Sequence, residues 1–239
     1  MFVRCMIGVV LLNCVVAEGA AAQRHFEGTI TYDVGGGDRQ MQMIIAARGK
    51  KVRQDARRDD VPEVSRGNYV IVDYDRNEVM SVVPAMKSYI VVDFKKIRDA
   101  VGAADPAASP AAQLMDDVVA TGRKERIAGV ECAVYTVKSA PGNEWCVTTE
   151  LGGILGFDGS AGAGGKDGGA LPVPTNAATT AVMRTFKNGA LILRMQATDK
   201  TGRASTLVAS KIDRTVPAAN LFAIPAGFDE IVNPMLGRP

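Results

Sequence analysis

Alternating apolar and polar residues run through much of this chain and predict a β-rich protein. In residues 26–34 the apolar side chains fall at every second position, which is typical of a strand with one buried face. The glycines of residues 35–37 predict a turn, and the alternation returns from Met41 to Ile45. Residues 50–57 predict a polar third strand. We therefore expect three successive strands in the first part of the chain.

The next block predicts a meander of three further strands. Residues 69–74, 78–83 and 88–94 are rich in Val, Ile and Tyr and are separated by short turn signals. Several of these segments are apolar at consecutive positions, which is typical of strands covered on both faces. A helix or a ligand should therefore lie against the inner face of the sheet.

Residues 109–122 predict a helix that would supply this cover. Ser109 is a suitable N-cap, Pro110 suits the first helical position, and Gly122 would end the helix. Its predicted apolar face consists of Leu114, Met115, Val118 and Val119. Residues 94–101 would begin this helical region, before an Ala/Pro-rich linker.

The second half of the chain returns to strands. We predict strands at 126–138 and 144–149, joined by a turn at 140–143, and at 181–186, 190–198 and 205–212. The Asn-Gly pair within 187–189 predicts a hairpin turn. The glycine-rich stretch 152–170 predicts a flexible loop.

The N-terminus has the pattern of a cleaved secretory signal. Arg4 precedes an apolar run from Met6 to Leu12, and the alanines of residues 20–22 suit signal peptidase. We expect cleavage after Ala22, which would leave residues 23–239 as one secreted or periplasmic domain. The alternative is a lipid anchor, since residues 11–14 faintly resemble the motif in which Cys14 would be acylated.

Composition and charge narrow the possible partners. Hydrophobic residues make up 47% of the chain and the formal net charge is +2, which favours a globular protein and argues against a nucleic-acid partner. No segment after the signal is long and apolar enough for a membrane helix.

Two cysteines remain after signal cleavage, Cys132 and Cys146. They lie on the two arms of a predicted hairpin, and an even pair in an oxidising compartment favours a disulfide. Closing a loop of this size contributes on the order of 3 kcal/mol. The alternative is a pair of buried thiols.

The sequence shows no catalytic constellation, and we expect neither enzymatic activity, a metal nor another cofactor. His25 is the single histidine and would lie near a new chain end, where catalytic geometry is hard to maintain. If the mature chain begins Gln23-Arg24-His25, its nitrogens could bind Cu(II), although a solvated terminus is the simpler interpretation. Residues 160–167 depart from the phosphate-loop pattern at Ser160 and Asp167.

Methionines are spread over the predicted strands and helix. Such side chains fill irregular cores and also line cavities for flexible apolar ligands, so both interpretations remain open. The residues concerned are Met41, Met43, Met80, Met86, Met115, Met183 and Met195.

Several motifs, taken in order, resemble a periplasmic bacterial family of unknown function. Residues 26–32 resemble its first strand, 84–89 its Pro-x-x-Lys-x-Tyr step, 127–135 its I-A-G-x-x-C-x-x-Y strand, 144–147 the strand that follows, and 216–228 its closing Leu-Phe to Pro-x-Gly-Phe segment. That family is similar to the lipoprotein-carrier fold. The resemblance implies an open, strongly curved antiparallel sheet whose hollow is covered by helices, and it implies no catalytic residues.

The fold expected is thus mainly β, a half-barrel of about ten antiparallel strands around one or two helices. The leading functional expectation is a non-enzymatic envelope protein that binds a lipid or lipoprotein acyl chain in its hollow. The alternative is an interaction or structural module whose core is filled by its own helix.

Overall fold

A computed structural model describes residues 25–36, 39–57, 66–93, 96, 113–155, 177–186, 189–198 and 204–232. These residues form one open sheet, so the mainly β prediction is confirmed. The strands are β1 Gly28–Gly36, β2 Arg39–Arg48, β3 Lys51–Arg57, β4 Tyr69–Asp73, β5 Glu78–Val83, β6 Ser88–Asp93, β7 Val118–Ile127, β8 Val130–Val137, β9 Glu144–Thr148, β10 Leu191–Thr198, β11 Ala204–Asp213 and β12 Asp229–Glu230.

The 12 strands follow the order β12-β6-β5-β4-β3-β2-β1-β11-β10-β9-β8-β7. Strands β1 to β6 extend from the centre to one side by successive antiparallel pairings, and β11 back to β7 extend to the other. The short β12 is the exception, because it pairs in parallel with β6. The strands predicted at 69–74, 78–83, 88–94, 190–198 and 205–212 are confirmed, with ends that differ by at most one residue.

Register assigns the buried side chains to two faces. On one face, Trp145, Met195 and Leu207 lie opposite one another across β9, β10 and β11, and the row continues to Val34 of β1. We call this the helix face. On the other, Tyr69, Ile71 and their neighbours on β5 and β6 form a second cluster, which we call the strap face.

The C-terminal residues 216–228, which we call the strap, cover the strap face. The strap includes the 3₁₀ helix Ala219–Phe222, and Phe222 is buried. The side chains of this cluster are Ala46, Tyr69, Ile71, Met80, Val82, Val91 and Phe222, with Tyr89, Leu221, Ile224 and Phe228 at its margin.

Two arginines hold the strap by its backbone. Arg53 donates to the Leu221 carbonyl at 3.1 Å, and its guanidinium stacks 3.6 Å from the centroid of the Tyr69 ring. Arg48 donates to the Pro217 carbonyl at 2.8 Å. The strap is therefore fixed by directional bonds as well as by apolar contacts.

Helix α1, Ala177–Arg184, covers the helix face. The strand predicted at 181–186 is therefore wrong. Ala178, Ala181 and Val182 recur at helical spacing, and with Met183 they pack against Trp145 and its neighbours. Gly189 leads from this segment into β10 rather than forming the predicted hairpin turn, and residues 187–188 lie outside the described residues.

The helix predicted at 109–122 is also wrong from Met115 onward, although Gln113 is helical. Met115–Asp117 is a 3₁₀ turn, and Val118 begins strand β7. The β-branched Val118 and Val119 favour a strand, and hydrogen bonding to β8 decides the outcome. Ser109 and Pro110 lie outside the described residues. Helix α1 therefore takes the covering position that the sequence assigned to this segment.

The strand predicted at 126–138 is divided by a two-residue turn. Ala128 and Gly129 both have positive φ, 46° and 83°, as a type I′ turn requires, and they join β7 to β8. This turn is the Ala-Gly pair of the motif at 127–135. The Ala residue is unusual there, because its Cβ disfavours positive φ.

The glycine-rich stretch begins inside packed structure. Leu151, Gly152, Gly153 and Ile154 are buried, and the Phe26 amide donates to the Gly153 carbonyl at 2.8 Å. The flexible loop predicted at 152–170 is therefore wrong for its first residues, and 156–170 lie outside the described residues. The signal prediction for 1–22, including Cys14, also falls outside them.

Candidate functional site

A small apolar cavity lies between helix α1 and the helix face of the sheet. Its volume is about 40 Å³. It is lined by Tyr32, Met43, Thr179, Met183, Leu191, Ile192, Met195 and Leu207. None of the described residues that line it is charged, so the cavity suits an uncharged apolar group.

Three of the seven methionines singled out from the sequence meet at this cavity: Met43, Met183 and Met195. They come from β2, α1 and β10, which are far apart in sequence. Their flexible side chains can adapt to a changed occupant. Met80 instead belongs to the strap-face core, and Met86 and Met115 are exposed.

The polar groups in the lining already have partners. The indole Nε1 of Trp145 donates to Thr179 Oγ1 at 3.1 Å, and the Tyr32 hydroxyl donates to the Ile192 carbonyl at 3.0 Å. Burial raises the pKa of Tyr32 far above its usual value, so this phenol stays neutral. The first bond joins the helix to the sheet, whereas the second lies within the sheet.

The cavity is small for a ligand in this conformation. Binding sites for organic ligands typically enclose about 300–1,000 Å³. Six of the eight residues of α1 are buried, and the space left beneath the helix is about 40 Å³. An acyl chain would therefore have to replace α1 rather than fit beside it.

Cys132 and Cys146 lie at disulfide distance, with sulfur atoms 2.14 Å and Cα atoms 5.3 Å apart. They are not directly opposite, because Cys146 pairs in register with Val134. The bridge is therefore a diagonal connection between β8 and β9. Both residues are buried, so it braces the sheet rather than presenting a reactive thiol pair.

An ion-pair network spans the same strands. Arg194 of β10 contacts both carboxylate oxygens of Glu125, at 2.7 and 2.9 Å, and reaches Glu144 at 3.1 Å. Arg123 also pairs with Glu144. Since Arg194 pairs in register with Cys146 and Glu125 with Cys132, these side chains link β7 to β10 across the cysteine pair.

This network sets the ionisation of Glu144. Burial alone would raise its pKa, but hydrogen bonds from Arg194 and Arg123 outweigh burial and hold the pKa below its usual value. Sequence reasoning missed the network, because its four members become neighbours only through strand pairing and the irregularity of β7 between Ala120 and Lys124.

A larger, open cleft of about 650 Å³ lies where β1, β2 and β11 end. Polar side chains from Asp33, Gln40, Gln42, Arg57 and Thr206 line it. Gln42 donates to Asp33 at 3.0 Å, so part of this polar surface is already paired. None of the described residues that line the cleft is a histidine or a cysteine, so the lining does not supply the nucleophile and base pair of a hydrolase-type site.

The remaining candidates do not assemble into a site. Within the described part of the chain, no three His, Cys, Asp or Glu side chains are grouped to hold a metal ion. His25 is exposed and bridges to Gly153 through its backbone. Gln23 and Arg24, the other members of the hypothetical copper set, lie outside the described residues, as do 160–167. No helix in the described ranges is long and apolar enough to cross a membrane.

Comparison with known proteins identifies a family but no activity. No curated protein matches the sequence. Among solved structures, PNGF-II in a C2 crystal form is similar with a TM-score of 0.34 and 14% identity, over 84% of this chain and 30% of that one. This chain thus spans less than a third of that protein, and so distant a likeness carries no functional argument. A family model matches residues 26–228, and the chain belongs to DUF4412, a domain of unknown function.

Proposed function

We propose that this protein binds the apolar chain of a lipid or lipoprotein on the helix face, in a conformation from which α1 has withdrawn. The observation that carries the proposal is the methionine-lined cavity beneath α1. It marks a place where the helix and the sheet leave space between them. Packed protein interiors rarely leave such space, so this contact is the natural point of opening.

The construction of α1 supports its displacement. The helix has eight residues, too few for stability apart from its packing. Thr179 of α1 accepts a hydrogen bond from Trp145 Nε1 at 3.1 Å and donates a weaker one to Met195 Sδ at 3.5 Å. Withdrawal of α1 would leave a groove along the helix face. An apolar chain that enters this groove would restore the burial of Met195, Leu207 and their neighbours, so ligand and helix would compete for the same surface.

The compartment proposed is the periplasm or the cell exterior. Cys132 and Cys146 at disulfide distance suit an oxidising environment, and the signal pattern of residues 1–22 agrees with it. A carrier of lipoprotein acyl chains would work there. The resemblance to the lipoprotein-carrier fold supports this assignment by analogy.

A second candidate is a structural or interaction module with no small ligand. The observation in its favour is the volume of about 40 Å³, which shows that α1 nearly fills the groove. In that case α1 would remain seated, and the exposed surfaces of the sheet would serve the function.

Trp145 allows a direct test, because it is the chain's one tryptophan and is fully buried beneath α1. The protein is titrated with a lysophospholipid whose acyl chain carries bromine, which quenches tryptophan on contact. We expect saturable quenching, and we expect native mass spectrometry of detergent-free protein to show bound lipid. Glycerophosphocholine, which lacks an acyl chain, should leave the fluorescence unchanged.

A matched variant moves the reporter to the strap face of the sheet. Trp145→Phe with Tyr89→Trp moves the tryptophan to the margin of the strap-face cluster. Its fluorescence should not be quenched by the brominated chain. A native mass spectrum that shows the protein without bound lipid, together with Trp145 fluorescence that is not quenched, would exclude the carrier function and favour the module.

A further inference from the structure

We propose that the ligand's apolar chain carries an uncharged hydrogen-bond acceptor, of the ester or amide carbonyl type, that pairs with the indole N–H of Trp145. This inference rests on the proposed function, since it applies to the groove from which α1 has withdrawn. It narrows the ligand class from any apolar chain to a chain with a buried carbonyl.

The geometry places the indole N–H of Trp145 directly beneath α1, where it donates into the helix. Trp145 has no exposed surface, and its Nε1 donates to Thr179 Oγ1 at 3.1 Å. An indole has one N–H and cannot turn it elsewhere without moving the ring. Thr179 belongs to α1, so withdrawal of the helix removes this acceptor while the donor remains on β9.

Among the described residues of the sheet, Met195 and Tyr32 are weaker or already engaged acceptors. Met195 lies directly opposite in register, but a thioether is only a weak acceptor. The Tyr32 hydroxyl keeps its bond to the Ile192 carbonyl, because both groups belong to the sheet. Opening therefore leaves the indole N–H in need of an acceptor.

An unpaired buried donor lowers affinity, by on the order of tenfold for one lost hydrogen bond. A pure hydrocarbon would leave the N–H unpaired, whereas a carbonyl would satisfy it. A free carboxylate would also accept the bond, but no charged side chain lines the cavity to compensate its buried charge. The groove therefore favours a neutral ester or amide.

The experiment compares methyl undecanoate with tridecane, two volatile probes of equal chain length. Headspace gas chromatography measures the free concentration of each over the wild type and over Trp145→Phe, so no tryptophan signal is needed. The phenyl ring keeps the apolar floor but has no N–H. We expect the preference for ester over alkane to be on the order of tenfold greater in the wild type than in the variant.

Thr179→Val provides the matched control, because it removes the acceptor on α1 and leaves the indole in place. Its helix should be held less tightly, so both probes should bind more tightly, by roughly fivefold, with the ester-to-alkane ratio unchanged from the wild type. If the ratio of ester affinity to alkane affinity is the same in the wild type and in Trp145→Phe, the inference is overturned while the proposed function stays intact. Failure of both probes to bind any of these proteins would overturn the proposed function as well.

Discussion

The two covers of this sheet lie on opposite faces and are attached in different ways. The strap inserts Phe222 into a closed apolar cluster and is held by Arg48 and Arg53 through its own carbonyls. Helix α1 packs by apolar contacts around a residual cavity, and the side chain of Thr179 bonds to Trp145 and, more weakly, to Met195. A segment whose backbone carbonyls accept hydrogen bonds from the sheet loses those bonds when it leaves. A segment that packs mainly through apolar side chains can be replaced by another apolar group.

The largest expected difference concerns the anchors of the two covers. Phe222→Ala should lower the free energy of unfolding by about 3–5 kcal/mol, because it removes a buried ring and leaves a cavity. Val182→Ala, at a fully buried site in α1, should cost only about 2 kcal/mol. Urea unfolding measures both. A cost at Val182 well above about 2 kcal/mol would show that α1 is packed more tightly than its residual cavity indicates.

Removing the cysteine bridge should loosen the half of the sheet beneath α1. Replacing Cys132 and Cys146 together by Ala should cost about 3 kcal/mol, since the bridge closes a short loop of the unfolded chain. Hydrogen exchange should accelerate in β8 and β9 before it does in β4 and β5. Denatured wild-type protein that titrates two free thiols would contradict the bridge itself.

The ion-pair network predicts acid sensitivity in the same half. The pKa of Glu144 is lowered in the folded state, so the ionised carboxylate stabilises the fold. This stabilisation is fully present above the unfolded pKa of about 4.3 and is lost as the pH falls through the lower folded value. At pH values under about 4, the free energy of unfolding should therefore decrease as the pH is lowered. In Glu144→Gln this decrease should be smaller.

Glu131 provides the control for this effect. Its pKa is also lowered, by its hydrogen bond to Lys124, but that pair is exposed to solvent. Screening should make the contribution of such a pair small. Glu131→Gln should therefore leave the acid limb of the stability profile nearly unchanged, and an equal effect of both variants would argue against the network.

The smallest expected effect lies at the β7–β8 turn, at the edge of the helix-covered half. Ala128→Asn should raise the free energy of unfolding by up to about 1 kcal/mol, because Asn tolerates positive φ better than Ala does. Ala128→Val should lower it, since a β-branched side chain resists this conformation. Thermal unfolding of the two variants should bracket the wild type.

The strands were predictable where alternation and turn residues agreed. Residues 78–83 match β5 at both ends, because Asn77 and Pro84 bound a Val-rich run. Residues 109–122 misled, because Leu114, Met115, Val118 and Val119 suit a helical face as well as a strand end. The strand predicted at 181–186 failed in the opposite sense, because the short Ala/Thr/Val segment 177–184 mixes helix and strand formers and adopts its structure from what it packs against.

The residue types of the candidate site were visible in the sequence, but their arrangement was not. Methionines and a lone Trp were visible in the sequence, but the meeting of Met43, Met183 and Met195 depends on register between distant strands. The partner of Trp145 was hidden for the same reason, since Thr179 lies 34 residues away.

By itself, the sequence determined the β-rich class, the pair of cysteines on neighbouring strands and the closing segment that proved to be the strap. These depend on local periodicity, turn chemistry and residue type, which act over a few positions. Only the tertiary structure decided which segment covers each face, that a small cavity remains beneath α1, and that Arg194 reaches Glu125 across two strands. Those outcomes depend on strand order, and strand order is set by the burial of the whole sheet rather than by any one segment.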